Sequence, residues 1–320
     1  MASGPDLKIG ITPWDFGAPV SAERLCAQAE RAEALGFHSL WLPENHFGGP
    51  ASIPQPLLWH AAIAARTRRL RLGTTSYLLP IRHPVQAAEE VAVLDQLSGG
   101  RVILGVGRGF RGALFDAFGA DPKKKRDDFE ATLSAMRRAW AGESLVDGDA
   151  PDAQLAPRPL QEPHPPIWVA AFGPKALEQA GRLGLPYLAS PIEPESALLA
   201  NSAAHRDSLT RHGHDPESLD VPVMRTVFAH DDPAVVARVY EGLARSVRAL
   251  RGAPSAALRG AGDADVDEVA IMGEPSRVAD AIARLREKLG VSHLIARAQV
   301  PGAEEKEQLE SLEWLAGLRA

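Results

Sequence analysis

The chain has 320 residues, 45% hydrophobic and 24% charged, an ordinary globular composition. Its formal net charge of −6 argues against nucleic-acid and anionic-membrane binding. The single cysteine, Cys26, excludes an internal disulfide and a thiolate metal cluster; it falls among apolar helix positions and reads as a small core residue.

Strand-like and helix-like segments alternate from the start. Residues 7–12 read as a first strand, and the next helix is opened by Ser21 and closed by Gly36. A second strand over 38–42 precedes a helix over 55–67. A third over 70–75 precedes a helix over 84–97, stopped by Ser98-Gly99-Gly100. The fourth strand is 101–106. A loop of roughly fifteen residues should follow, then a helix opened by Asp121-Pro122, in which Phe129, Leu133, Met136 and Trp140 recur at helical spacing. Lys123, Lys124 and Lys125 read as a solvated helix start. Residues 142–166 form a long connection with room for a short hairpin. Strands five to eight fall at 166–171, 185–190, 221–229 and 292–296, each followed by helical sequence. The segment 251–267 is small, polar and glycine-bearing, and is expected to be mobile.

Eight strands, each with its helix, give the pattern of an α/β (β/α)8 TIM barrel. It is expected as a single domain over residues 1–320, with insertions after strands four and seven. The competing doubly wound sheet announces itself with a glycine-rich turn after the first strand, and "ITPWDFGAPV" has none. No apolar run approaches the ~18–20 residues of a membrane helix, and no signal-peptide pattern is visible, so a cytoplasmic protein is expected.

Ligand sites of such barrels gather where strands end. Strand two runs directly into Glu44, Asn45 and His46. Strand three ends at Thr74-Thr75-Ser76, strand four at Gly105-Val106-Gly107-Arg108-Gly109, and strand five at Phe172-Gly173-Pro174. Singly these are weak signals, because a histidine after a strand is more often a structural group than a catalyst. Two features point to a phosphate. Gly173-Pro174 opens a helix whose first amides are unpaired. Arg126 sits in a first helical turn, where the dipole disfavours a cation, and shares a face with Phe129 and Leu133; the plain alternative is a snorkelling arginine paired with Glu130. Arg108 would supply a second guanidinium. The scattered histidines give no metal site.

Four stretches together resemble the bacterial luciferase-like flavin monooxygenase superfamily: "AEALGFHSLWLPENHF", "AARTRRLRLGTTSYLLPIRHPVQAAEEVAVLDQLSGGRVILGVGRGF", "PPIWVAAFGPKALEQAGRLGLPYL" and "IMGEPSRVADAIARL". The resemblance implies a (β/α)8 flavin enzyme. His46 matches the second histidine of a Glu-His-His-Phe active-site motif, Glu44 orients that loop, and Asn45 stands where luciferase has its catalytic histidine. An amide there can hydrogen-bond but exchanges no proton near neutral pH, which argues against light emission. Arg108, Arg126 and the Ala171-Phe172-Gly173 turn match positions that hold the cofactor phosphate, with Ala176 in place of a hydroxyl ligand. Thr75-Ser76 matches a non-proline cis peptide beneath the flavin ring. Gly107 replaces a reactive cysteine at the cofactor, and residues 251–267 match a mobile active-site loop.

The implied activity is oxidation of a small apolar organic substrate by reduced FMN and dioxygen through a flavin hydroperoxide, with a separate flavin reductase as partner and a homodimer as the assembly. Trp14, Trp41, Phe47, Tyr77 and Phe110 suggest an apolar pocket, with plain core the equal reading for Trp41. The alternatives are a deazaflavin-dependent hydride-transfer enzyme and a non-catalytic flavin-binding protein.

Overall fold

The computed structural model describes residues 6–110, 112–146, 153–252 and 256–318. In chain order the elements are β1 (Lys8–Ile11), α1 (Ala22–Leu35), β2 (Ser39–Leu42), α2 (Pro56–Arg66), β3 (Arg71–Thr74), β4 (Tyr77–Leu78), α3 (Pro84–Ser98), β5 (Val102–Gly107), α4 (Gly112–Phe118) and α5 (Lys125–Trp140). Then come β6 (Ile167–Ala170), α6 (Pro174–Arg182), β7 (Tyr187–Leu188), α7 (Glu195–Arg211), β8 (Pro222–Ala229), α8 (Pro233–Ala249), α9 (Ala256–Ala261), α10 (Val266–Val269), β9 (Ala270–Gly273), α11 (Pro275–Leu289), β10 (His293–Arg297) and α12 (Glu305–Gly317).

The strand order is β7-β6-β5-β3-β2-β1-β10-β8-β9, with β4 paired to β5. Ala189, just past β7, bridges Val223 of β8 in parallel, so the pairing path returns on itself through eight strands. These eight are the strands read from the sequence, and the class is the expected (β/α)8 fold. Two further strands were not legible: β4 is only two residues long, and β9 pairs with the far end of β8. Burial of all eight residues of β8 accounts for its near-continuous apolar run.

Contacts group the chain into two compact units. The first comprises the residues up to Asp15, Arg31–Leu40 and Val169 onward; the second comprises Phe16–Glu30 and Trp41–Trp168. In the first, Phe228, Met272 and Val300 form a buried cluster with Val239, Leu243 and Val247 of α8. In the second, Trp41 is fully buried and stacks on Trp168 with ring centroids 5.0 Å apart. Gly73 makes that packing possible, because a Cβ there would lie 2.3 Å from the Trp41 ring. Trp41 is therefore core and not pocket lining.

The loop expected after the fourth strand contains α4. The helix after it begins at Lys125, because Asp121 folds into a turn: its Oδ1 accepts from Lys123 N at 2.8 Å and its carbonyl from Lys124 N at 3.0 Å. In the long connection, Ser144 and Gln154 form an antiparallel bridge, while residues 147–152 lie outside the described residues. Residues 253–255 of the segment expected to be mobile also lie outside them. Among the described residues no helix is long and apolar enough to cross a membrane.

Candidate active site

In the second unit β2 delivers the chain through Pro43 to Glu44, whose side chain is fully buried. Burial of a carboxylate demands donors, and Glu44 has three. Leu78 N donates to Oε2 at 3.0 Å, Arg82 Nη1 to Oε1 at 2.9 Å, and His46 Nε2 lies 2.8 Å from Oε1. A carboxylate can only accept, so Nε2 carries the imidazole proton and Nδ1 presents the lone pair. The His46 ring is also buried and packs edge-on against Phe118 of α4, with centroids 5.1 Å apart. Glu44 thus fixes both the orientation and the tautomer of His46.

Arg82 completes the cluster. Its Nη1 also donates to Leu78 O at 2.7 Å, and its guanidinium lies 3.7 Å over the Tyr77 ring. Tyr77 is fully buried, its hydroxyl donates to Glu90 Oε2 at 2.5 Å, and burial is the first cause that raises its pKa. Tyr77 is thus a structural member of this network.

Asn45 is placed differently from His46. Its carboxamide oxygen accepts from Ile53 N, and its own N–H donates to Ile53 O at 3.0 Å. Both contacts close the 45–53 loop. Phe47, inside that loop, is largely exposed and adopts a positive φ of 58°.

Next to this cluster the chain holds a cis peptide between Thr75 and Ser76. Thr75 N donates to Leu42 O at 2.8 Å, and Thr74 Oγ1 donates to Gly105 O at 2.8 Å, which ties the end of β3 to β2 and β5. Tyr77 and Leu78 pair with Val106 and Gly107, so Ser76 comes against the end of β5. A Cβ at Gly107 would lie 2.0 Å from Ser76 Oγ. Position 107 therefore has no room for a cysteine, the residue the resemblance would place there, unless Ser76 moves.

Directly after β5 comes Arg108, a nearly buried arginine with its guanidinium 5.3 Å from the centroid of the Phe129 ring. Burial first, and then the neighbouring Arg126 charge, push its pKa down to about 10; Glu130 opposes them. Lys125 is half-buried, donates to Gly109 O at 3.3 Å, and is lowered by burial, then by Arg126 and Arg108. Three cations thus repel one another at the start of α5. A phosphate would replace that repulsion with charge-assisted hydrogen bonds, so the donor set fits a phosphate-terminated cofactor.

Two expectations are corrected here. The three lysines do not behave alike: Lys123 and Lys124 are exposed, but Lys125 joins the cluster. Arg126 does not share the buried face of Phe129 and Leu133 but is exposed. Three residues along a helix turn through about 300°, leaving Arg126 about 60° away from Phe129, at the rim.

A luciferase-like monooxygenase family model matches residues 9–293. The chain belongs to the luciferase-like monooxygenase family.

The oxygenase component of a flavin-dependent trigonelline monooxygenase from Acinetobacter baylyi is 30% identical over 212 residues, which cover 65% of this chain and 58% of that protein. The chain therefore matches little more than half the length of this curated relative. Among solved structures, monooxygenase RslO1 from Streptomyces bottropensis is 30% identical with a TM-score of 0.80, covering 97% of this chain and 98% of that one. A coenzyme F420-dependent tetrahydromethanopterin reductase from Methanopyrus kandleri shares the fold, with a TM-score of 0.74 at 19% identity over 98% of both chains.

In this luciferase-like chain the first unit carries the remaining predicted site residues. Ala171 is buried, Phe172 is 40% exposed, and Gly173 caps α6 with a φ of 84°, which favours glycine. Ala176 N, in the first turn, donates to Gly173 O at 3.0 Å. Arg82 and Lys125 are the functional candidates that the sequence did not mark. Arg82 sits in "PIRHP", which reads as a helix approach, and Lys125 is masked by its lysine neighbours.

Proposed function

We propose that this chain is the oxygenase of a two-component flavin-dependent monooxygenase, using reduced FMN and dioxygen on a small apolar organic substrate. The observation that carries the reading is the cluster of Arg108, Lys125 and Arg126, which calls for a multiply charged anion. Arg108 and Lys125 would hold the phosphate, and Arg126 would close over it from the rim. Thr75, Ser76 and Gly107 would meet the ring, a reading supported by the close approach of the Ser76 side chain to Gly107 at the end of β5.

When bound, reduced flavin supplies the electrons that activate dioxygen. The work of this chain's residues is to orient and to exclude water. Glu44 holds His46 so that Nδ1 can accept a proton or a hydrogen bond from the reacting groups. Asn45, anchored to Ile53, positions the loop that carries His46. A separate reductase is the natural electron source, consistent with the relative named as an oxygenase component. Exposed Leu58 on α2, with Val93 and Leu97 on α3, supports a homodimer.

The likeness in fold to an F420-dependent enzyme supports a second reading, hydride transfer with a deazaflavin coenzyme whose phosphate would use the same cations. Binding titrations with reduced FMN and with the deazaflavin coenzyme separate the two. The first reading expects tighter binding of FMN and oxygen uptake coupled to a substrate. His46→Ala should lower turnover at least ~10-fold while changing FMN affinity less than ~3-fold. Preference for the deazaflavin with no coupled oxygen uptake would overturn it. Reduced-flavin consumption that no substrate stimulates would leave a flavin-binding protein.

A further inference from the structure

In the first unit a cavity of about 390 Å3 opens where β1 and β10 end. The two strands are paired neighbours, with Ile11 opposite Ala296. Past the paired residues, Thr12 N donates to Ala296 O at 3.0 Å and Ala298 N to Thr12 Oγ1 at 3.1 Å, which stitches the two strand exits together. Trp14 follows one exit; Arg297, Gln299, Val300 and Pro301 follow the other, and Gln308 of α12 closes the side. Ligand sites of (β/α)8 proteins lie at these strand ends, and the volume falls within the small-molecule range.

Arg297 is the last residue of β10 and lines the cavity. Among the described residues its guanidinium has no hydrogen-bond acceptor and no ion-pair partner. Burial alone lowers its pKa; the carboxylates of Asp15 and Glu305, which also line the cavity, are not among the causes. Arg101 shows the contrast. It is buried where Arg297 is only partly so, and its guanidinium donates to the carbonyls of Ala64, Thr67, Leu70 and Ser98 as a structural tie. Arg297 makes no such ties among the described residues, and it lines the cavity.

The rest of the lining narrows what that acceptor is. Trp14, Val300 and Pro301 offer apolar surface beside a single cation. Asp15 and Glu305 add negative charge at the same cavity, which opposes a dianion such as a phosphate. A planar monoanion with an apolar body satisfies all three constraints, and a carboxylate matches the guanidinium fork through two parallel hydrogen bonds.

We propose that this cavity is a binding site for a small apolar monocarboxylate, with Arg297 holding the carboxylate and Trp14 and Val300 packing on its body. The site stands independently of which cofactor the cationic cluster holds.

The test is calorimetric titration of the full chain with benzoate and hexanoate, each paired with its neutral amide. The wild type should bind at least one acid ~10-fold or more tightly than its amide, as a charge-assisted pair requires. Arg297→Gln should lose that preference and keep the unfolding temperature of the wild type, or exceed it, since it removes a partly buried charge that makes no ties among the described residues. Arg297→Lys should retain part of the preference, having the charge without the fork. Absence of acid binding by the wild type at about 10 mM, equal affinity for acid and amide, an undiminished preference in Arg297→Gln, or a lowered unfolding temperature in that variant would each overturn the proposal.

Discussion

Replacing Arg108 with methionine should raise the stability of the ligand-free protein and remove its response to a phosphate ligand. Arg108 is only 9% exposed, and burial with the Arg126 charge pushes its pKa down to about 10. At 1.36 kcal/mol per pKa unit, that fall corresponds to a penalty on the order of 3 kcal/mol for holding the charged side chain in the folded state. A base whose folded pKa is depressed destabilises the fold at every pH below that value. The penalty is therefore constant through the neutral range and is relieved only as pH rises through about 10. Methionine keeps much of the apolar contact and removes the charge, losing the interaction over Phe129, worth about 0.5–1 kcal/mol, and the Glu130 attraction that the lowered pKa already includes. The net gain should be about 2 kcal/mol. It is measurable as a raised urea midpoint at unchanged slope, equal at pH 6 and pH 8. Adding FMN at about 100 times its dissociation constant should stabilise the wild type by about 2.7 kcal/mol and leave the variant nearly unmoved. A variant less stable than the ligand-free wild type, or FMN protection of equal size in both proteins, would refute the account of this site as a repelling cluster waiting for an anion.

Gly107→Ala should destabilise the chain by about 1–3 kcal/mol, because its Cβ would overlap Ser76 Oγ at 2.0 Å; Ser76→Gly in the same chain should recover most of the loss, and a neutral Gly107→Ala by urea unfolding would contradict the close approach. His60 is fully buried with Nε2 2.7 Å from Gly73 O, and burial lowers its pKa to about 4. It stays neutral in the fold while the unfolded chain takes up a proton, so stability should fall as pH drops from about 6.5 towards 4, by about 3 kcal/mol; an equal acid loss in His60→Gln would remove His60 as its cause.

How much of this was legible in the sequence depends on what each residue's neighbours do. The eight strands of the pairing path could be read because each is a short apolar run bounded by turn residues, and β8 is buried along its whole length. β4 could not, since two residues carry no period, and its existence depends on a pairing with Val106 and Gly107 that only the fold supplies. His46 and Glu44 stood out as polar residues directly after an apolar strand, but the tie that makes them one unit runs through Arg82, 38 residues from Glu44. Asn45 shows the opposite limit: the pattern marks it beside His46, yet its side chain turns to Ile53.

The cations make the same point with charge. A run of Lys-Lys-Lys-Arg looks solvated as a block, but a helix that begins at Lys125 gives each of its residues a different direction. Lys125 then lies half-buried beside Arg108, while Lys123 and Lys124 remain in solvent. Composition counts these side chains alike; the phase of one helical turn separates them. In "LIARAQVPG" Arg297 is one charge in an apolar strand end, and nothing in that string says whether carbonyls surround it, as they surround Arg101, or a cavity does. The number of cations gathered at a site then sets the ligand's charge. On the proposed reading, three at Arg108, Lys125 and Arg126 suit a multiply charged phosphate, whereas one at Arg297, with Asp15 and Glu305 lining the same cavity, suits a monoanion.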